Sequence, residues 1–326
     1  MSGEIHRMAI PTPFMVGRVN CYLIDDEPLT LVDTGPNSGK ALDCLERELA
    51  AHGRRIEDLE RIVITHQHLD HMGLVDVIAR RSGAEVCALD LLAPLIEDFG
   101  AEAERDDELA EALMLRHGIT RDVVTALRAV SRSFRGWGGS TTVTRRLADG
   151  EALEFAGRTL EAIHRPGHSP SDTIFVDRGT GTVLAGDHLL AHISSNPLIS
   201  RQLGGKSGEP ADGRPRALLT YLASMRETRE MELDRVLPGH GEPFGDHAAL
   251  IDERFAMHER RARKIHGLLA EKPMTAHEIA QSLWGNVAVT QAYLTLSEVL
   301  GHVDLLLERD QVVEHETGGV IRFEAA

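Results

Sequence analysis

The sequence predicts an α+β fold, and three observations point there. Short apolar runs recur that end in histidine, aspartate and glycine; stretches of helical periodicity separate them; the end of the chain turns to helix before closing on a hairpin. With 326 residues the chain can bury a large core and divide into more than one domain.

In order, residues 20–24 and 29–32 flank the turn-like Asp25-Asp26-Glu27-Pro28, and the second of these strands runs into Asp33-Thr34-Gly35. Ser38 caps a helix that carries Ala41, Leu42, Leu45 and Leu49 on one face, and Gly53 ends it. Residues 61–64 form a strand; Leu74, Val75, Ile78 and Ala79 follow helical spacing up to Gly83; residues 85–89 form the next strand. Residues 91–136 break this rhythm with two or three amphipathic helices, either a lid over a site or a dimer surface. Strands resume at 141–144, 159–163, 173–176 and 182–184, the last two bracketing a turn at 177–181. A helix near 216–230 and a strand at 235–237 follow.

From about residue 246 the character is helical: a charged segment at 247–271, a capping box opening at Thr275, a helix over about 290–307, and a hairpin turning at Thr317-Gly318-Gly319. Helices followed by a two-stranded wing are the order of a winged-helix module. The expected organisation is therefore a first unit over 1–245, with a helical insertion at about 91–136, and a second over 246–326.

The net charge of −16 opposes nonspecific attraction to nucleic acid or anionic membrane. The three scattered cysteines, Cys21, Cys44 and Cys87, form no CxxC pair and fit reduced thiols. The N-terminal MSGEIHRMAIPTPF lacks the basic start and apolar stretch of a signal peptide, and no run approaches the roughly 20 apolar residues of a membrane span. A cytoplasmic protein is expected.

Residues 62–71 read IVITHQHLDH and place His66, His68, Asp70 and His71 just past an apolar strand. Imidazole and carboxylate are ligands that borderline divalent cations such as zinc prefer. Alternation turns His66 and His68 to one side, while Asp70 and His71 follow a turn and can face a second point, which suits two adjacent metals. Three further strand ends bring a ligand-capable residue beside glycine: Gly167-His168, Gly186-Asp187 and Gly239-His240.

The run Thr65 to His71, followed by His168, Asp187 and His240 and preceded by Val32-Asp33-Thr34-Gly35, resembles the metallo-β-lactamase-fold hydrolase superfamily over residues 20–245. The resemblance implies a four-layer αββα sandwich with the ligands along one edge. It implies that His66, His68 and His168 hold one divalent ion, that Asp70, His71 and His240 hold a second, and that Asp187 bridges both. Zinc comes first, with iron or manganese as alternatives. Asp33 would support the ligands by hydrogen bonding rather than bind metal. Histidine at position 68 argues against the flavodiiron branch, and the pattern is closer to the glyoxalase II-like and nuclease-like branches. The tail from about 263 is similar to a winged-helix domain appended to a branch that includes endoribonucleases. Its five Lys and Arg against nine Asp and Glu argue against a phosphate-gripping role.

The expected activity is hydrolysis of a small ester, thioester or lactone by a metal-bridging hydroxide, steered by Asp70. An endoribonuclease or phosphodiesterase is the alternative. His188 is a candidate to assist catalysis, and Arg165 and His192 are candidates to bind substrate. Arg201, Lys206, Arg214 and Arg216 are the loop residues that would receive an anionic handle, and Met114 with neighbouring leucines would roof an apolar pocket. The insertion and the tail both offer surfaces for a homodimer.

Overall fold

A computed structural model describes residues 3–203 and 214–326. The first half contains strands β1 (Glu4–Ile10), β2 (Val19–Asp25), β3 (Thr30–Val32), β4 (Arg61–Ile64), β5 (Glu85–Leu89) and β6 (Arg145–Leu147). Between them lie helices α1 (Gly39–Ala51), α2 (Leu69–Met72), α3 (Val75–Ser82), α4 (Ala93–Glu97), α5 (Phe99–Arg116) and α6 (Arg121–Phe134). The second half contains β7 (Ala152–Glu154), β8 (Thr159–His164), β9 (Thr173–Asp177), β10 (Thr182–Gly186), α7 (Ala217–Arg229) and β11 (Arg235–Pro238). The chain ends in α8 (His247–Glu271), α9 (Ala276–Trp284), α10 (Val287–Thr290), α11 (Ala292–Glu308), β12 (Val312–Thr317) and β13 (Val320–Ala325).

Among the described residues two large sheets form, in the orders β1-β2-β3-β4-β5-β6 and β11-β10-β9-β8-β7, and β12 pairs with β13 in a third. Three apolar cores show how the two large sheets stack. Alternation along β2 sends Tyr22 and Ile24 to an inner core shared with Phe175, Leu184 and Leu237 of the other sheet. It sends Cys21 and Leu23 to an outer core with Leu45 and Leu49 of α1 and Ile78 of α3. Behind the second sheet, Val183 and Val236 pack on Leu222 and Met225 of α7 and Ile251 of α8. Helix, sheet, sheet and helix layers follow, the αββα sandwich.

Local chemistry sets the element ends. Ser38 Oγ accepts from the Ala41 amide to open α1, and Gly83 stops α3 in a left-handed conformation. Thr275 and Glu278 form a reciprocal capping box on α9. Residues 141–144, expected as a strand, stay outside the sheet. They bond elsewhere instead: Thr141 N donates to the Ile96 carbonyl and Val143 N to Glu97 Oε1, while the Thr144 hydroxyl accepts from Val86 N. The ladder begins only at Arg145.

A fourth core corrects the expectation for the insertion. Leu113 and Met114 of α5 and Val124 of α6 are buried with Ile265 of α8, Leu296 and Val299 of α11 and Phe323 of β13. Met114 therefore roofs no pocket; it is part of the core that joins the inserted helices to the C-terminal segment. That segment has four helices, α8 to α11, before the β12–β13 hairpin.

Candidate metal centre

The site sits at one edge of the sandwich. β3, β4 and β5 run parallel, so β4 hands Thr65 and His66 to this edge, and α2 follows at once with Asp70 and His71. On the other sheet, β10 and β11 are parallel neighbours, and Asp187 and His240 emerge side by side beyond them. The Thr173 amide donates to the Thr65 carbonyl at 3.0 Å and ties the sheets together here. Asn20 fixes the loop that carries His240: its Nδ2 donates to the carbonyls of Pro238 at 2.9 Å and Gly241 at 2.7 Å.

All seven expected ligands come together. His68 Nδ1 lies 3.0 Å from His66 Nε2 and 2.9 Å from His168 Nε2. Asp187 stands between the two halves, with Oδ1 3.4 Å from His71 Nε2 and Oδ2 3.6 Å from His168 Nε2 and 3.5 Å from His240 Nε2. Asp70 Oδ2 is 3.3 Å from His240 Nε2. Among these seven side chains, three triads could each hold a cation: His66, His68 and His168; His66, His71 and Asp187; Asp70, His71 and His240.

Outer hydrogen bonds decide what these rings present. Asp33 Oδ2 accepts from His71 Nδ1 at 2.7 Å, the Arg18 carbonyl from His240 Nδ1 at 2.7 Å, and the Asn196 carbonyl from His168 Nδ1 at 3.0 Å. Thr65 Oγ1 donates to Asp33 Oδ2 and is thus left to accept from His66 Nδ1 at 3.0 Å. Carboxylate and carbonyl oxygens cannot donate, so each Nδ1 carries a proton, and each inward-facing Nε2 offers a lone pair whenever its ring is neutral. His68 Nδ1 has one proton at most and faces two such lone pairs. His71 Nε2, His240 Nε2 and Asp187 Oδ1 are buried without a hydrogen-bond partner. An enclosure lined by acceptors and short of donors fits cations. It is also tight, since a Cβ at Gly239 would run into Asp187 Oδ1 and stand 2.8 Å from His71 Cε1.

Charge divides the site. Burial, then repulsion from neighbouring imidazoles, pushes His66 well below the ordinary histidine range and His68 to about 3. Burial also opposes charge on His71 and His240, but Asp187 outweighs it, holding His71 well above the ordinary range and His240 at about 9. Asp70 is buried, yet His71 and His240 keep its carboxyl below the usual carboxylate value.

Other expected residues sort differently. His188 does not face the ligands. Its Nε2 is 2.9 Å from Thr228 Oγ1 of α7, and burial lowers it to about 3, so it is a packed residue of the helical layer rather than a catalytic one. Arg165 is likewise corrected as a substrate binder, because its guanidinium pairs with Glu227 at 3.1 Å and bonds the His164 carbonyl. Arg201 pairs with Glu102 and Asp106, and Arg214 with Asp304, so neither is free for an anionic handle. Arg216 is the N-cap residue of α7. Lys206 lies outside the described residues. His192 remains at the mouth, exposed, with Nε2 so close to Gly241 that no side chain fits there. Thr65, Asn196 and Asn20 escaped the sequence reading; only Asn20 left a signal, a polar residue inside an apolar strand.

A family model described as the metallo-beta-lactamase superfamily matches residues 15–240. The probable metallo-hydrolase YqjP of Bacillus subtilis is 32% identical over 320 residues, 98% of this chain and 97% of that protein. An atrochrysone carboxyl ACP thioesterase of Aspergillus chevalieri is 25% identical over 186 residues, 54% of each chain. A crystal structure of a metallo-beta-lactamase family protein from Thermus thermophilus superposes with a TM-score of 0.81 at 27% identity, covering 99% of this chain and 98% of that one. A beta-lactamase domain protein from Burkholderia ambifaria gives 0.79 at 26% identity, covering 99% and 92%.

Proposed function

The chain belongs to the metallo-beta-lactamase superfamily, and from that premise we propose that it is a metal-dependent hydrolase of small esters, thioesters or lactones. The observation that carries this reading is the pair of triads joined through Asp187. His66, His68 and His168 would hold one divalent cation, Asp70, His71 and His240 the other, with Asp187 shared. Zinc suits this nitrogen-rich set, and iron or manganese would also bind it. When bound, such cations supply Lewis acidity and bring the pKa of water from about 15.7 toward about 7.

The chain's own residues do the rest. Asp70 stays ionised beside His240 and is placed to accept a proton and pass it outward. Asp33, directly and through Thr65, holds His71 and His66 in one tautomer. The Asn196 and Arg18 carbonyls do the same for His168 and His240. No nucleophilic serine or cysteine is required. The similarity to a thioesterase supports a thioester among the substrates. The acidic balance supports a small molecule over nucleic acid, and a cytoplasmic setting accommodates the three buried free cysteines.

The test uses metal-loaded protein on p-nitrophenyl acyl esters, acyl thioesters and single-stranded RNA. Ester or thioester turnover that Asp187→Ala abolishes is the expected result. RNA cleavage lost in Asp187→Ala, with no ester or thioester turnover, would overturn it in favour of an endoribonuclease or phosphodiesterase.

A further inference from the structure

Large apolar side chains left in solvent are costly, and here they are not scattered. Among the described residues, most of them lie on four segments that touch the ligand loops. Met15, 90% exposed, and Val16 sit just before Arg18, whose carbonyl accepts from His240. Phe134 ends α6 and meets Phe14 edge-on at 5.9 Å. The chain just beyond it packs on α2, where a Cβ at Gly73 would strike the Trp137 carbonyl. Ile193 follows His192, the ring that closes over Gly241. Leu294 of α11 accepts from Asn196 Nδ2 at 3.2 Å, and the Asn196 carbonyl accepts from His168.

One contact closes the ring. Gln291, between α10 and α11, donates Nε2 to Met15 Sδ at 3.0 Å. The β1–β2 loop therefore meets the C-terminal helices next to the exposed Val287 and Leu294. A polar, acceptor-lined centre is thus surrounded by an apolar rim drawn from both ends of the chain.

We propose that this rim is the groove for an aliphatic acyl chain, with Met15 on one wall and Leu294 of the C-terminal helices on the other. The proposal rests on the hydrolase reading and narrows it to esters or thioesters of medium and long acyl groups. The thioether of Met15 is unbranched and adapts to chains of different length. It also gives the C-terminal helices a role at the substrate rather than at a phosphate backbone.

The experiment measures kcat/KM on acyl thioesters from acetyl to dodecanoyl. Binding of a dodecyl thioether analogue to metal-free protein is measured in parallel by calorimetry. Each added methylene is expected to raise kcat/KM about fourfold until the groove is filled, from the usual gain per buried methylene. Met15→Gln and Leu294→Gln should each flatten that slope and weaken the analogue at least severalfold, with circular dichroism unchanged. Acetyl thioester turnover with no chain-length slope would overturn the groove and leave the hydrolase reading standing. No turnover at any length, with tight analogue binding that both variants weaken, would sink the hydrolase reading and keep the groove. A third result, a dimer that Met15→Gln dissociates while slope and analogue binding stay as in the wild type, would make the rim an interface between copies and overturn the proposal.

Discussion

His71 Nδ1 donates to Asp33 Oδ2 at 2.7 Å, and the same carboxylate takes both the amide and the hydroxyl of Thr65. One buried group thereby orients His71 directly and His66 through a hydroxyl, and these two rings belong to different halves of the site. Asp33 holds a left-handed backbone, φ 59°, to reach both. Asp33→Asn keeps the shape but weakens the acceptor. Affinity for zinc is expected to fall about 10- to 100-fold, the usual cost of losing such a partner. Competition against a chromogenic chelator measures it, and unchanged affinity would show that the histidines orient themselves.

Gly239 offers a second test, because the enclosure has no room there. Gly239→Ala forces a methyl against Asp187 and His71, at an overpacking cost of about 1–3 kcal/mol. Metal per chain, read by elemental analysis after saturation, should drop. Gly267→Ala is the control: nothing lies within 4 Å of a Cβ there, and the exposed position is inside α8. That variant should load fully and gain up to about 1 kcal/mol of stability from helix propensity.

The ligand set was legible in the sequence because few side chains bind borderline cations and four of them lie within residues 66–71. Of their outer supports, Asp33 was anticipated through the family resemblance, and the rest were not. A carbonyl such as that of Arg18 or Asn196 has no residue signature, and its partner is set only when distant strands meet. His188 was misplaced for a related reason. It follows Asp187 in the chain, but the turn after β10 sends it into the layer of α7, where Thr228 receives it. In the insertion, periodicity marked the helices; an apolar stripe does not say what it packs on, and Met114 found α8 and α11.

Removing metal should loosen the protein without unfolding it, since the three cores of the sandwich contain no ligand. Cation at a thousand times its Kd adds about 4 kcal/mol to stability. For a chain of this size that corresponds to a fall in Tm of about 6 °C after chelation. Far-UV circular dichroism should stay native below the new midpoint. Loss of that signal at room temperature on adding chelator would show that metal binding and folding are one event.

His117 gives a pH test away from the centre. It is buried, its ring stacked on Phe323 at 5.9 Å, and burial, aided by Arg214 and Arg116, lowers it to about 3 from an ordinary 6.5. The unfolded chain therefore binds a proton near pH 6.5 that the folded chain refuses until about pH 3. The stability contributed is full above 6.5 and drains away as pH falls between those values. His117→Gln removes this proton uptake. Denaturant titrations of metal-free protein at pH 7 and pH 5 should show the wild type losing about 2 kcal/mol more than the variant, following 1.36 kcal/mol per pH unit. Parallel losses in the two proteins would mean that His117 titrates normally in the fold.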